Sequence, residues 1–253
     1  MVTIKTQSEI KIIADGGHRL RQVMDMLIAA AKPGIRGEQL ETLTRSAILN
    51  FGGKPAFLNY SPDPEGAPFP AALCLSLNGT VVHGIPKNTG ALKNGDLVKL
   101  DIGMQFKGLF TDMARTIVIG NPTAEQKELI VAAKEAFLAG LKMAKEGNTL
   151  GDVGFAIESR IQAHHFFVIK ELTGHGLGYR PHEDPWVLNY GNPGKGLKLK
   201  SGMVLAIEPM PAAGTSEIIE RRDGSFVTAD GSLASHYENT LVVTPTGGKI
   251  LTK

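Results

Sequence analysis

Two acids, Asp101 and Asp112, interrupt β-rich runs over residues 97–106 and 109–119, which Lys107-Gly108 separates. A Lys-Gly pair between such runs predicts a tight two-residue turn. With that turn Asp101 falls opposite Ala114, and Asp112 becomes its diagonal neighbour on the same sheet face. The rest of that face reads as apolar. Two carboxylates pointed together into such an interior repel each other and lose hydration, so one would be driven neutral. A cation between them removes both problems. Ordinary acids on a half-exposed hairpin are the alternative, and further ligands elsewhere in the chain would decide between the two.

Further donors follow downstream. His175 sits among glycines in Gly174-His175-Gly176-Leu177-Gly178, a context that permits close backbone approach. His182 lies seven residues on, and either histidine alone is as readily a capped or solvated one. Glu208 ends the apolar run 203–207, and Glu238 opens another apolar strand; each is a strand-end surface acid or a donor projecting into a cleft. Two Asp, one His and two Glu make a hard, oxygen-rich set suited to manganese, iron(II), cobalt or zinc. Zinc-finger chemistry is excluded because no cysteine pair exists. Five ligands with a single nitrogen suit two carboxylate-bridged ions, ~3.5–4 Å apart and activating a shared water, better than one ion.

The elements that must position these groups are legible from caps and periodicity. Thr6-Gln-Ser-Glu9 is a capping box, followed by Ile10, Ile13, Leu20, Val23, Met24 and Leu27 at helical spacing up to Lys32-Pro33-Gly34. A second helix runs from about Gly37 to Gly52-Gly53. Residues 59–70, with four prolines and two acids, read as a surface loop beside a pocket, with disorder as the alternative. Residues 71–76 and 80–83 read as strands joined at Leu77-Asn78-Gly79 in a hairpin. Thr123-Ala-Glu-Gln126 opens a long helix, another spans about Asp152 to His164, and strands follow near 204–207, 217–220 and 238–244. Residues 144–152 echo residues 31–38, so helix, helix, strands occurs twice with a period of roughly 110 residues. This predicts one domain of two pseudo-symmetric halves, about 1–120 and 121–253, with helices over a curved antiparallel sheet and the functional cleft between the halves.

Composition narrows the setting. At 253 residues, 42% hydrophobic and 21% charged, the chain can bury a full core. A net charge of +2 gives no support for specific nucleic-acid binding. The single cysteine, Cys74, forbids an internal disulfide and suits a reducing compartment. No apolar stretch has the length of a signal core or membrane span, so a cytoplasmic protein without membrane partners is expected.

His83-Gly-Ile-Pro, Asp101 with Asp112, Gly-His175-Gly-Leu-Gly with His182, Ile-Glu208-Pro-Met and Tyr-Glu238-Asn-Thr occur in one order along the chain. In this the chain resembles the type I methionine aminopeptidases of the pita-bread metallopeptidase superfamily, over essentially its whole length. The resemblance implies an α+β pita-bread fold and hydrolytic removal of the initiator methionine from nascent proteins, with a preference for a small second residue. It implies two divalent ions (cobalt, manganese, iron(II) or zinc) held by Asp101, Asp112, His175, Glu208 and Glu238. Glu208 would also be the general base. His182 would stabilise the tetrahedral intermediate, and His83 would sit near the scissile amide. Phe69 and Cys74, and more loosely Tyr60 and Phe226, match the methionine pocket, where sulfur–aromatic contacts favour the side chain. For Tyr60 and Phe226 an ordinary core role is the equal alternative. Cys74 lies inside an apolar strand and is rejected as a nucleophile. The partners implied are the N-terminal peptide of new chains and a transient ribosome contact, for a monomer.

Three departures bear on pocket shape. Pro181 stands where many bacterial members carry a bulky aromatic, His236 stands where glutamine is common, and the segment 61–68 is longer. The rival branch, Xaa-Pro aminopeptidase or proline dipeptidase, shares the ligands but usually carries a further N-terminal domain. Type II methionine aminopeptidases carry an insertion not seen between Glu208 and Glu238. A catalytically inactive binding module on this fold would have lost ligands that are all present here.

Overall fold

The computed structural model describes residues 2–61 and 65–253. Its first half contains α1 (Gln7–Ala30), α2 (Gly37–Asn50), β1 (Lys54–Pro55), β2 (Leu73–Leu77), β3 (Thr80–Val82), the short helix α3 (Pro86–Thr89), β4 (Leu97–Phe106) and β5 (Leu109–Val118). The second half contains α4 (Ala124–Met143), α5 (Leu150–Ala163), β6 (Phe167–Val168), β7 (Thr173–Gly176), β8 (Glu183–Leu188) and β9 (Val204–Ile207). It ends with β10 (Pro211–Ala212), β11 (Ile218–Glu220), β12 (Phe226–Thr228), β13 (Asn239–Val243) and β14 (Gly248–Ile250).

The long helices start where their caps require. Thr6 accepts the Glu9 N–H while Glu9 returns a bond to the Thr6 N–H, and Thr123 with Gln126 repeats the arrangement ahead of α4. Leu20, Val23, Met24 and Leu27 of α1 then pack with Leu40 and Ile48 of α2 onto Val98, Leu100, Ile102 and Met104 of β4. In the second half Phe137 of α4 and Ile157 and Ile161 of α5 cover Leu205, Ile207, Leu241 and Val243. Each half is thus helices over sheet. The junctions at residues 31–37 and 144–150 are also built alike. Gly34 N–H donates to Leu92 O at 2.8 Å and Gly147 N–H to Leu199 O at 3.1 Å. Arg36 bridges Ala91 as Thr149 bridges Lys198.

The sheets are antiparallel: β1-β4-β2 with β5 on β4, and β14-β13-β9-β7-β8 in the second half. Lys107 (φ 49°) and Gly108 (φ 85°) form the two-residue turn, both in the left-handed region. The register is the expected one, Asp101 opposite Ala114 and Asp112 opposite Gly103. Strand alternation sends Val98, Leu100 and Ile102 into the core and Lys99, Asp101 and Gly103 to the other face.

Two expectations need correction. The face carrying Asp101 is not apolar: it holds buried Lys99, Ser76 and Thr116. The Lys99 ammonium donates to Asn78 O at 2.5 Å, and burial pulls its pKa down to about 7. Residues 77–79 do turn, with Asn78 at φ 52°, but β2 and β3 form no ladder with each other. β2 pairs with β4 and β3 with β12, because Asn78 spends its hydrogen bonds on Leu97 and Asp96.

A seam joins the halves. In the two-residue hairpin register, alternate residues of β5 aim their backbone groups away from β4. Asp112 N–H donates to Thr240 Oγ1 at 2.8 Å, and the Thr240 hydroxyl donates to Asp112 O at 2.9 Å. Glu238 N–H donates to Ala114 O at 3.0 Å, while Thr116 Oγ1 exchanges 2.8 Å bonds with the backbone N–H and carbonyl of His236. Arg115 clasps the seam by donating to Ala114 O, Glu238 O and Asn239 Oδ1.

Candidate metal centre

At this seam the acidic residues from both halves converge. Asp101 and Asp112 come from the hairpin, Glu208 follows β9, Glu238 precedes β13, and His175 lies within β7. One donor atom each from Asp112, His175 and Glu238 lie within 4.8 Å of one another; so do those of Glu208, His236 and Glu238. All six residues are buried.

Burial without a compensating cation is unfavourable for these carboxyls. It pushes Asp101 and Glu208 up to about 7, and Asp112 and Glu238 well above the usual carboxylate range. Neighbouring carboxylates add to the burial effect for Asp112 and Glu238, as like charges must. Among the described residues, Asp101 Oδ1, Asp112 Oδ1, Glu238 Oε1 and both ring nitrogens of His236 are buried without a hydrogen-bond partner. Such orphaned polar atoms are rare in a folded interior. Divalent ions fit this set: they would take the lone pairs of the carboxylate oxygens and of one imidazole nitrogen, and favour the ionised carboxylates.

The histidine in β7 has one ring nitrogen engaged and the other open. His175 Nδ1 lies 2.9 Å from Gly176 O, and donation there leaves the Nε2 lone pair free, 3.5 Å from Glu208 Oε1. Its flanking glycines are required by packing. A Cβ on Gly174 would lie 2.4 Å from Ala206 O, and one on Gly176 2.2 Å from Asp184 O.

His182 lies against His175, with ring centroids 4.2 Å apart and planes tilted by 56°, and stacks on Tyr60 at 5.2 Å. Burial, with His175 and His83 adding to it, holds its pKa down to about 2, so the ring is neutral. Tyr60 Oη is 3.0 Å from His182 Nδ1; with the hydroxyl donating, the ring proton sits on Nε2. Its loop is anchored by the buried Lys5–Glu183 pair at 2.7 Å. A cleft of ≈ 690 Å³ opens beside it, lined by Tyr60, Tyr179, Arg180 and Trp186.

His83 is exposed and left-handed (φ 59°), with its ring edge-on to Phe226 at 5.6 Å. Its N–H donates to Cys74 Sγ at 3.0 Å. Burial pushes the Cys74 thiol well up, which leaves no nucleophilic thiolate. Phe69 is half-buried; its N–H donates to Tyr60 O and its carbonyl accepts from Asn59 N–H, both at 2.8 Å. Pro181 is buried. Of the long segment 61–68, positions 62–64 lie outside the described residues. Sequence reasoning missed Thr240, Thr116 and Arg115; a cation inside an apolar strand was the one signal for Arg115.

The metallopeptidase family M24 profile matches residues 11–245, and the chain belongs to this family. A relative named methionine aminopeptidase from Clostridium acetobutylicum is 40% identical over 253 residues, covering 100% of this chain and 99% of the relative. The crystal structure of methionine aminopeptidase from Thermotoga maritima superposes with a TM-score of 0.94 at 37% identity, with both chains covered in full. A prolidase from Pyrococcus furiosus aligns with a TM-score of 0.78 at 25% identity, covering 99% of this chain but only 65% of that one. The fold is the α+β pita-bread arrangement, and no described helix is long and apolar enough to cross a membrane.

Proposed function

We propose that the chain is a metal-dependent aminopeptidase that removes the N-terminal methionine of new proteins and acts as one catalytic domain of two related halves. The single observation that carries this reading is the buried cluster of orphaned carboxylate and imidazole atoms, in a chain aligned end to end with methionine aminopeptidases. Asp101, Asp112, His175, Glu208 and Glu238 would hold two divalent ions from among manganese, iron(II), cobalt and zinc. Bound there, the ions would polarise the substrate carbonyl and acidify the attacking water.

The chain's own groups supply the rest. Glu208 takes the proton of the attacking water on its carboxylate, which stands beside His175 Nε2 at 3.5 Å. His182, neutral and protonated on Nε2, donates to the oxygen where negative charge develops. His83 positions the scissile amide, its backbone fixed by Cys74. Phe69, Cys74, Tyr60 and Phe226 surround the methionine side chain, and a large second residue would collide with the cleft wall. The setting that fits is the cytoplasm, as a monomer with at most transient ribosome contact, which co-sedimentation at low salt tests.

The decisive experiment is hydrolysis of a Met-Ala-Ser peptide by metal-stripped protein with each metal added back, beside Leu-, Ala- and Xaa-Pro-starting peptides. Release of methionine alone, abolished in Asp112→Asn and Glu238→Gln, is the expected result. Preference for the Xaa-Pro peptide would assign the chain to the prolidase branch. Metal binding without turnover would make it a binding module.

A further inference from the structure

We propose that His236 is itself a metal ligand, so that two imidazoles rather than one hold the pair of ions. This rests on the dinuclear reading above and assigns a residue to it that the five-ligand set leaves out.

His236 is 1% exposed, and neither ring nitrogen has a hydrogen-bond partner. An imidazole buried in that condition is unfavourable unless something else takes its lone pair. Its Nε2 lies 3.4 Å from Glu208 Oε2 and 3.7 Å from Glu238 Oε2. These separations are long for hydrogen bonds, which cluster at 2.7–3.2 Å. They are close to the spacing of two donors on one tetrahedral ion, roughly 3.3–3.6 Å for bonds of ~2.0–2.2 Å.

The donor atoms around His236 are as closely grouped as those around His175. Asp112, His175 and Glu238 form one compact triad, and Glu208, His236 and Glu238 form the second. Glu238 belongs to both, and Glu208 Oε1 lies 3.5 Å from His175 Nε2, so the two triads share carboxylates. The backbone holds the ring in place, since His236 N–H and carbonyl both bond Thr116 Oγ1 at 2.8 Å across the seam. Chemically, a second imidazole moves the pair from an oxygen-rich set suited to manganese toward iron(II), cobalt and zinc.

The test is X-ray absorption at the cobalt edge of the full-length protein loaded to saturation with cobalt(II), with calorimetric titration of cobalt(II) and manganese(II) alongside. The expected result is about one imidazole per cobalt in the wild type and about half that in His236→Gln, as ligand loss requires. The same variant should bind one of two cobalt equivalents at least ~10-fold more weakly, with a smaller loss for manganese. A wild-type average of about half an imidazole per cobalt, the value His175 alone gives, overturns the proposal and leaves the aminopeptidase reading standing. Failure of any cobalt to bind overturns both. The wild-type count needs no variant, so misfolding of His236→Gln leaves the test decisive.

Discussion

Replacing Thr240 by valine removes one hydroxyl and leaves two buried backbone groups without partners. Thr240 is 0% exposed, accepts from Asp112 N–H at 2.8 Å and donates to Asp112 O at 2.9 Å. Asp112 pairs opposite Gly103 at a position whose backbone groups point away from β4, so the ladder cannot absorb them. Each orphaned buried group costs about 1–3 kcal/mol, which puts Thr240→Val at roughly 2–6 kcal/mol of folding stability. Valine keeps the shape, so cavity formation adds little. Urea unfolding of the metal-stripped protein measures this directly, with Thr240→Ser as the control that keeps the hydroxyl. The same loosening displaces Asp112, and divalent-metal affinity should fall by ~10–100-fold, the range seen when a ligand loses its support. A loss below ~0.5 kcal/mol relative to Thr240→Ser, with metal affinity intact, would refute the view that this hydroxyl fastens the two halves beneath the site.

Other perturbations test separate parts of the structure. Gly174→Ala places a Cβ 2.4 Å from Ala206 O, and the forced separation of β7 from β9 should cost at least ~1–3 kcal/mol and weaken metal binding through His175; a stable variant with normal metal affinity would show that the strands can part freely. Lys5→Met leaves Glu183 buried without its cation. The loss should sit near the lower end of the ~3–5 kcal/mol for a broken buried pair, because Thr3, Tyr179 and Arg180 still donate to Glu183. Thermal melts of the variant check it, and an unchanged midpoint would count against the anchor. His164 bonds Glu128 and, second, Glu135, and these contacts raise its pKa above the ordinary 6.5. A raised folded pKa means the stabilisation is complete below the unfolded value and is lost as pH rises through the folded one. The melting-point gap between wild type and His164→Gln should therefore shrink as pH rises above 6.5, and a gap that widens would reverse the assignment.

Much of this protein was local enough to read directly. Capping boxes at Thr6 and Thr123 and the Lys107-Gly108 turn involve residues three or fewer apart, so residue type alone sets their geometry. That turn fixes the hairpin register, which places Asp101 and Asp112 on one face. Tertiary structure decided the rest, because pairing partners far apart in sequence leave no local signature. Asn78 makes a turn but sends β2 to β4 and β3 to β12, since its side chain meets Leu97 and Asp96 across the sheet. Lys99 occupies a face that periodicity alone marked as apolar. Nothing near Thr240 announces that it grips Asp112, 128 residues earlier. His236 was visible only as a departure from a pattern, and its two orphaned nitrogens exist only once the halves close around Glu208 and Glu238. Residue types and spacing determined which groups could bind metal; the seam between β5 and residues 236–240 determined that they converge, because it brings the acids and imidazoles of both halves together.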